Sequence, residues 1–275
     1  MNTAQTLEPI ASAHKRLRLL SYNIQTGIAA TRPHHYLTHS WKHVLPHAQS
    51  LENLNKIARL VSDFDIVALQ EVDAGSLRSG FINQAEYLAV RGRFPFWYCQ
   101  TNRNLGRFAQ HSNALLGKIR PTHVSEYKLP GLPGRGAILA RYGDADTGLA
   151  LLMIHLALGS RARLRQLGYV SELVNAHKNV VLMGDLNCEA HSPEMDILFR
   201  NTKLREPAQC LNTFPSWRPT RNIDHILVTP TLEAGNVRVL HHTFSDHLPV
   251  ALEITVPNDI VLPWHSETPQ CADNY

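Results

Sequence analysis

Apolar stretches of strand length recur along the chain and are separated by polar segments. They cover residues 17–23, 65–71, 113–119, 135–142, 148–156, 179–187, 223–229, 236–242 and 250–256. Two longer segments, 50–63 and 161–178, place apolar residues every three or four positions, which predicts amphipathic helices. Many strands with few helices predict two packed sheets covered by helices, an α/β sandwich.

No repeat, low-complexity tract or Gly/Ser linker divides the 275 residues, so one folded domain is predicted. We expect a loose polar lead-in at residues 1–15, the domain at 16–256, and a tail at 257–275 that docks through Trp264. No apolar run approaches the length of a membrane span, and the N-terminus lacks the order of a signal peptide. These features predict a cytoplasmic protein, and nothing in the sequence indicates an obligate protein partner.

Composition narrows the function only slightly. A net charge of +4 suits a polyanionic substrate without requiring one, and a dedicated nucleic-acid binder is often more basic. The four cysteines form no CxxC pair, so neither a zinc knuckle nor a redox motif is indicated. Histidines recur every fourth residue from His35 to His47, but no acid or cysteine supports a zinc site. We expect residues 34–47 to form a loop or short helix beside the active site.

Polar residues collect at the ends of the predicted strands, where a rigid sheet usually supports a functional site. Each has an ordinary alternative explanation as a turn residue, a surface acid or a satisfied core histidine. Their joint occurrence favours a site. These residues are Asn23, Glu71, His155, Asp185, Asn187, Asp224, Asp246 and His247.

The residue types at these positions suit phosphoester chemistry. Asp185 and Asn187 are two apart, so an extended backbone would aim both side chains the same way, to orient a water molecule and hold an oxyanion. Glu71 and Asp246 offer the hard oxygen donors that Mg²⁺ prefers. His247 could donate to a phosphate oxygen if an acid such as Asp224 keeps it protonated. Together they predict metal-assisted attack of water on phosphorus.

Six motifs in this order resemble the endonuclease/exonuclease/phosphatase superfamily: SYNIQ, ALQEVD, MIHL, GDLN, IDHI and SDHLPV. The resemblance covers residues 17–256. The superfamily includes deoxyribonucleases, apurinic-site endonucleases, inositol polyphosphate phosphatases and neutral sphingomyelinases. The resemblance implies a four-layer α/β sandwich of two packed mixed sheets flanked by helices, with the catalytic site at one edge of the paired sheets.

The resemblance also implies a role for each residue. Glu71 would bind the catalytic Mg²⁺, or Mn²⁺, with Asn23 and Asp246 close to it. Asp185 would orient or deprotonate the attacking water, and Asn187 would contact the scissile phosphate. In the same way, His247 would stabilise the phosphate, Asp224 would hold His247, and His155 would touch a phosphate oxygen. One departure is Gln25, where certain apurinic-site enzymes carry an acid that also serves the metal.

The substrate is less constrained. Residues 91–108 mix arginines with Phe94, Phe96, Trp97 and Tyr98, which favours either core packing or, as an alternative, a platform for stacking nucleobases. Arg107 and Arg135 are candidate substrate contacts. Three hypotheses follow: a Mg²⁺-dependent phosphodiesterase or phosphatase acting on a small phosphoester, a nuclease with the same mechanism, and a non-catalytic binding module. The last is disfavoured because every expected catalytic position is filled.

Overall fold

Two β-sheets and four α-helices make up the part of the chain that the computed structural model describes, namely residues 15–28, 48–131, 133–207, 211–260, 262 and 270–271. The histidine-rich stretch 34–47 and Trp264 lie outside the described residues. The helices are α1 (Ala48–Val61), α2 (Gln84–Gly92), α3 (Ser160–Asn175) and α4 (Pro193–Asn201).

The strands divide between a seven-stranded and a five-stranded sheet. In chain order they are β1 (Lys15–Asn23), β2 (Ile66–Asp73), β3 (Phe96–Asn104), β4 (Gln110–Gly117), β5 (His123–Lys128), β6 (Gly136–Tyr142), β7 (Leu149–His155), β8 (Asn179–Asp185), β9 (Asp224–Val228), β10 (Glu233–Val239), β11 (Val250–Val256) and β12 (Gln270–Cys271). The first sheet has the order β10-β11-β1-β2-β4-β3-β12, and the second has the order β5-β6-β7-β8-β9.

Both sheets are mixed. In the first sheet β1 and β2 are parallel, and in the second sheet β7 and β8 are parallel. Antiparallel partners flank each of these parallel pairs, with β11 and β4 in the first sheet and β6 and β9 in the second. The carboxyl ends of two adjacent parallel strands lie at the same sheet edge, so each sheet brings two strand-end residues together.

The two sheets pack face to face and each carries a pair of helices on its outer face. Alternation along β1 shows how the sequence achieves this: Leu17 and Leu19 join the core between the sheets, whereas Leu20 and Tyr22 join the core beneath α1 and α2. On the other side, α3 and α4 cover the second sheet through a third cluster that includes Leu167 and Leu198. The predicted sandwich of two mixed sheets with flanking helices is confirmed.

The predicted strands and the two long helices are present, with ends shifted by a few residues. Three strands and two α-helices are not among the predicted elements: β3, β5, β12, α2 and α4. The aromatic residues Phe94, Phe96 and Trp97 are buried in the core, as the core-packing alternative expected. Beyond residue 256, Ile260 and Leu262 join the core between the sheets, and Gln270–Cys271 pairs in parallel with β3.

Candidate active site

Strand ends from both sheets meet at one edge of the sandwich. Asn23 ends β1, Glu71 lies near the end of β2, His155 ends β7 and Asp185 ends β8. His155 and Asp185 are direct neighbours in the β7–β8 register, and Asp185 is opposite Asp224 in the β8–β9 register. The topology therefore places side chains far apart in sequence within reach of one another.

Asp185 is the centre of this group. Its Oδ2 atom accepts a hydrogen bond from Asn23 Nδ2 at 3.1 Å, and it lies 3.5 Å from His155 Nε2 and 3.9 Å from His247 Nε2. Its Oδ1 atom accepts from the backbone N–H of Asn187 at 2.9 Å. Burial raises the pKa of the Asp185 carboxyl to about 7. A carboxylate with a pKa in this range is suited to accept a proton near neutral pH.

Positive φ angles occur beside the site at Gly184, Glu71 and Asn187. Gly184 (φ +150°) precedes Asp185, and a Cβ there would meet the Ile154 carbonyl oxygen at 1.9 Å, so only glycine fits. Glu71 (φ +55°) lies where the β2–β4 register shifts between Leu69 and Val72, which turns its side chain out of the regular pleat. Non-glycine residues with such φ angles concentrate at functional sites.

Asn187 departs from the extended conformation on which its predicted direction rested. Its φ angle is +54°, and its Nδ2 donates to the Leu156 carbonyl oxygen at 3.0 Å. The turn directs the Asn187 backbone N–H back to Asp185. Asn187 therefore lies beside Asp185, as expected, but a left-handed turn places it there and not strand alternation.

His247 and Asp224 form a buried pair. His247 Nδ1 lies 2.8 Å from Asp224 Oδ2, which also accepts from Thr213 Oγ1. Burial lowers the pKa of His247, but the carboxylates of Asp224 and Asp185 outweigh it and raise that pKa well above its usual value. His247 is therefore an imidazolium that donates Nδ1–H to Asp224 and presents Nε2–H toward Asp185. The Phe214 ring packs against it with centroids 4.9 Å apart.

His155 has the opposite charge state. Arg135 Nη1 lies 3.3 Å from His155 Nδ1, and because an arginine only donates, Nδ1 accepts and the proton is on Nε2. Burial, followed by the charges of Arg135 and His247, lowers the pKa of His155 well below its usual value. A neutral His155 thus presents Nε2–H between Asp185 and Glu71, whose Oε1 lies 3.9 Å away.

The oxygen donors fit a hard divalent cation. The Glu71 side chain is 36% exposed at the site, and no described residue donates a hydrogen bond to its carboxylate. Asn23 Oδ1 accepts from the Gln25 backbone at 3.1 Å, and Asp246 Oδ1 accepts from Ser245 Oγ at 3.1 Å. The available carboxylate of Glu71 is therefore the best-placed metal ligand of the three predicted.

Asp185, Asp224 and His247 each offer a ligand atom within 4.8 Å of the others, which is also compatible with a metal ion. However, His247 Nδ1 is already engaged by Asp224, and its raised pKa opposes metal binding, which needs a neutral imidazole. The hydrogen bond to Asp224 and the raised pKa of His247 therefore weigh against a metal ion bound by this trio.

A cleft of about 600 Å³ opens from this edge on the Glu71 and His155 side. Arg135, which was predicted as a substrate contact, lines it. Arg107 does not: it is exposed in the turn between β3 and β4, and Arg103 of the same hairpin lines the cleft instead. Two residues here were not predicted from the sequence. Thr213 is the second donor to Asp224, and Arg165 of α3 lines the cleft, although its position in the sequence is typical of a solvated helical face.

This constellation agrees with the comparison of the sequence with known families. Residues 20–247 match the family described as Endonuclease/Exonuclease/phosphatase family. The chain belongs to this family. Its members are metal-dependent phosphoester hydrolases, so the chain is an enzyme of that class. A search of curated proteins found no match.

Solved structures with the same fold are similar to the chain at low identity. An endonuclease/exonuclease/phosphatase from Beutenbergia cavernae DSM 12333 is 20% identical with a TM-score of 0.68, covering 88% of this chain and 72% of its own. A family protein from Bacteroides thetaiotaomicron is 18% identical with a TM-score of 0.69, covering 90% and 100%. The mannosyl-6-phosphatase of B. thetaiotaomicron VPI-5482 is 18% identical with a TM-score of 0.66, covering 87% and 100%. Among the described residues no helix is long and apolar enough to cross a bilayer.

Proposed function

We propose that this enzyme is a Mg²⁺-dependent phosphatase or phosphodiesterase that hydrolyses a small phosphoester by metal-assisted attack of water. The observation that supports it most is the convergence of three donors on Asp185 Oδ2: Asn23, His155 and His247 lie within 3.1–3.9 Å of that atom. An acceptor surrounded by anion-binding donors is the arrangement needed where water attacks a phosphate.

Each side chain has a role that follows from its protonation state. Asp185 accepts the proton of the attacking water, because its raised pKa makes it a base near neutral pH. The His247 imidazolium, held by Asp224, donates Nε2–H to the phosphate as negative charge grows. The neutral His155 donates Nε2–H to a second phosphate oxygen, and contact with the scissile phosphate is assigned to Asn187, which lies beside Asp185.

The metal ion, Mg²⁺ with Mn²⁺ as the alternative, would be bound by Glu71 with Asn23 and Asp246 nearby. Bound there, it would polarise a phosphate oxygen and lower the pKa of a bound water. The accessible carboxylate of Glu71 supports this assignment, since the metal needs a deprotonated ligand open to solvent.

Two features favour a small phosphoester over a nucleic acid. The rings of Phe94, Phe96 and Trp97 are buried in the core, so they offer no platform on which bases could stack. The cleft of about 600 Å³ lies in the usual size range for a small-molecule site. A family member with the same fold carries the name mannosyl-6-phosphatase, which is consistent with a phosphorylated sugar as one candidate substrate.

Release of phosphate from a panel of phosphomonoesters and phosphodiesters, assayed beside plasmid nicking, tests the proposal. Mg²⁺ should support turnover of small substrates and EDTA should abolish it. Asp185→Asn and His247→Gln should each lower kcat by at least about a hundredfold. The matched controls, Asp196→Asn on the exposed face of α4 and His123→Gln on exposed β5, should keep wild-type rates.

Wild-type rates in both Asp185→Asn and His247→Gln would contradict the assigned roles. Plasmid nicking that exceeds hydrolysis of every small substrate would favour the nuclease. A folded protein that hydrolyses nothing with either metal ion would support the binding-module hypothesis.

A further inference from the structure

Three arginines line the cleft and have no acidic partner. Arg103, Arg135 and Arg165 contribute guanidinium groups, and no carboxylate of the described residues lies within ion-pair distance of any of them. Glu71 is the one carboxylate among the described residues that line the cleft. A concave surface with this excess of positive charge attracts anions more strongly than a flat one.

The arginines come from three separate elements, so the cleft is assembled by the fold. Arg103 belongs to β3, and its Cβ and Cδ lie 3.6 Å from the position that a Cβ of Gly134 would occupy. Arg165 belongs to the second turn of α3, and Arg135 precedes β6. Within the described part of the chain, Arg135 alone of the three is hydrogen-bonded through its side chain, to the Gly134 carbonyl oxygen and His155.

His111 is a further titratable group of the cleft, and it is uncharged near neutral pH. It lines the cleft on β4, and its pKa is lowered to about 4, first by burial and then by the positive charge of Arg78. The charge of Asp73 opposes this shift, and Arg103 and Arg135 make smaller contributions that lower the pKa further. His111 is therefore neutral at physiological pH and leaves the arginines as the cationic groups of the cleft.

We propose that the cleft binds a second phosphate group of the substrate, and that Arg103 and Arg165 recognise it while the scissile phosphate lies at Glu71 and Asp185. The inference rests on the proposed function for the position of the scissile group. Guanidinium groups bind phosphate oxygens in bidentate fashion, and Arg135 remains with His155 as a positioning residue. The substrate class is then a small bisphosphate, not a phosphomonoester with a neutral remainder.

Binding of non-hydrolysable probes tests this independently of turnover. Isothermal titration in EDTA would compare alkane-α,ω-bisphosphonates of increasing chain length with ω-hydroxyalkylphosphonates of the same length. At the best length, the bisphosphonate should bind wild-type protein at least about tenfold more tightly, as expected for charge-assisted hydrogen bonds. Arg103→Gln and Arg165→Gln should each remove most of that ratio.

Arg200→Gln is the matched control, since Arg200 is exposed in the last turn of α4 and does not line the cleft. It should keep the wild-type ratio. A ratio near one in wild-type protein, no measurable binding of either probe, or a ratio that survives in both cleft variants would overturn the subsite. Loss of turnover for every phosphoester would instead contradict the proposed function, so the two failures are distinguishable. Far-UV circular dichroism checks that each variant is folded.

Discussion

Replacing Asp185, the proposed catalytic base, should make the metal-free enzyme more stable while it abolishes turnover. Asp185 is buried with 2% of its surface exposed, and burial raises its pKa to about 7. Above that pH the folded state must hold an ionised carboxylate that it solvates less well than water does. Asp185→Asn removes this charge while keeping the shape of the side chain.

The magnitude follows from proton linkage. The difference between the ordinary value of 3.8 and a value of about 7, at about 1.4 kcal/mol per pH unit, gives an upper bound of about 4 kcal/mol at pH 8. The amide also lacks one of the two acceptor oxygens, to which Asn23 Nδ2 donates in the wild type, at a cost of about 1–2 kcal/mol. We therefore expect Asp185→Asn to be about 2 kcal/mol more stable, which raises Tm by roughly 4–8 °C.

The destabilisation by the buried Asp185 carboxylate should increase with pH. The destabilisation by Asp185 is absent below its unfolded pKa, grows as pH rises, and is complete above its folded pKa of about 7. Thermal and urea unfolding in EDTA at pH 5.5 and pH 8 should show a gap between variant and wild type that is about 2 kcal/mol larger at pH 8. Asp196→Asn, on the exposed face of α4, should show no pH-dependent gap.

An Asp185→Asn variant that is less stable than wild type at pH 8, by the same amount as at pH 5.5, would contradict this expectation. That result would mean that the donors around Oδ2 stabilise the charge more than burial opposes it. Measured turnover would still test Asp185 as the base separately from its effect on stability, because a neutral amide cannot accept the proton of the attacking water.

Three further outcomes are expected. Asp73→Ala should lower the free energy of unfolding by about 3–5 kcal/mol in urea, since it leaves buried Arg78 without its carboxylate; a loss below about 1 kcal/mol would contradict this. Gly184→Ala should cost at least about 3 kcal/mol, because its Cβ would meet the Ile154 carbonyl oxygen, and a stable, fully active variant would count against it. Mg²⁺ or Mn²⁺ should raise the Tm of the wild type with increasing concentration but leave Glu71→Gln nearly unchanged; an equal rise in both would speak against Glu71 as a ligand.

The sequence predicted the buried strands well because they carry apolar residues on both faces. β7 and β8 are buried throughout, so their apolar runs are continuous. β5 was missed because it is a short edge strand with the polar sequence HVSEYK, which has no periodic apolar face. The helices α2 and α4 have 9 residues each, too few for a clear helical repeat.

The sequence indicated several residues that the structure brings together at the strand ends, but not the geometry between them. Strand ends indicated Asp185 and Glu71 because polar residues there interrupt apolar runs. The φ angle of +54° at Asn187 could not be predicted, since asparagine adopts the left-handed region only where its surroundings require it. Thr213 reaches Asp224 from a loop without periodicity, and that contact exists only in three dimensions.

The division of the active site between the two sheets links catalysis to the packing of the sandwich. Asn23 and Glu71 lie on the seven-stranded sheet, and His155 and Asp185 lie on the five-stranded sheet. A close-packed apolar core separates the two sheets. Side chains of that core, such as Met153 and Met183, set the distance between the sheets, and with it the distance between the Asn23 amide and the Asp185 carboxylate. A smaller or larger side chain at Met153 or Met183 would therefore change the rate of hydrolysis, although neither residue is one of the proposed catalytic groups.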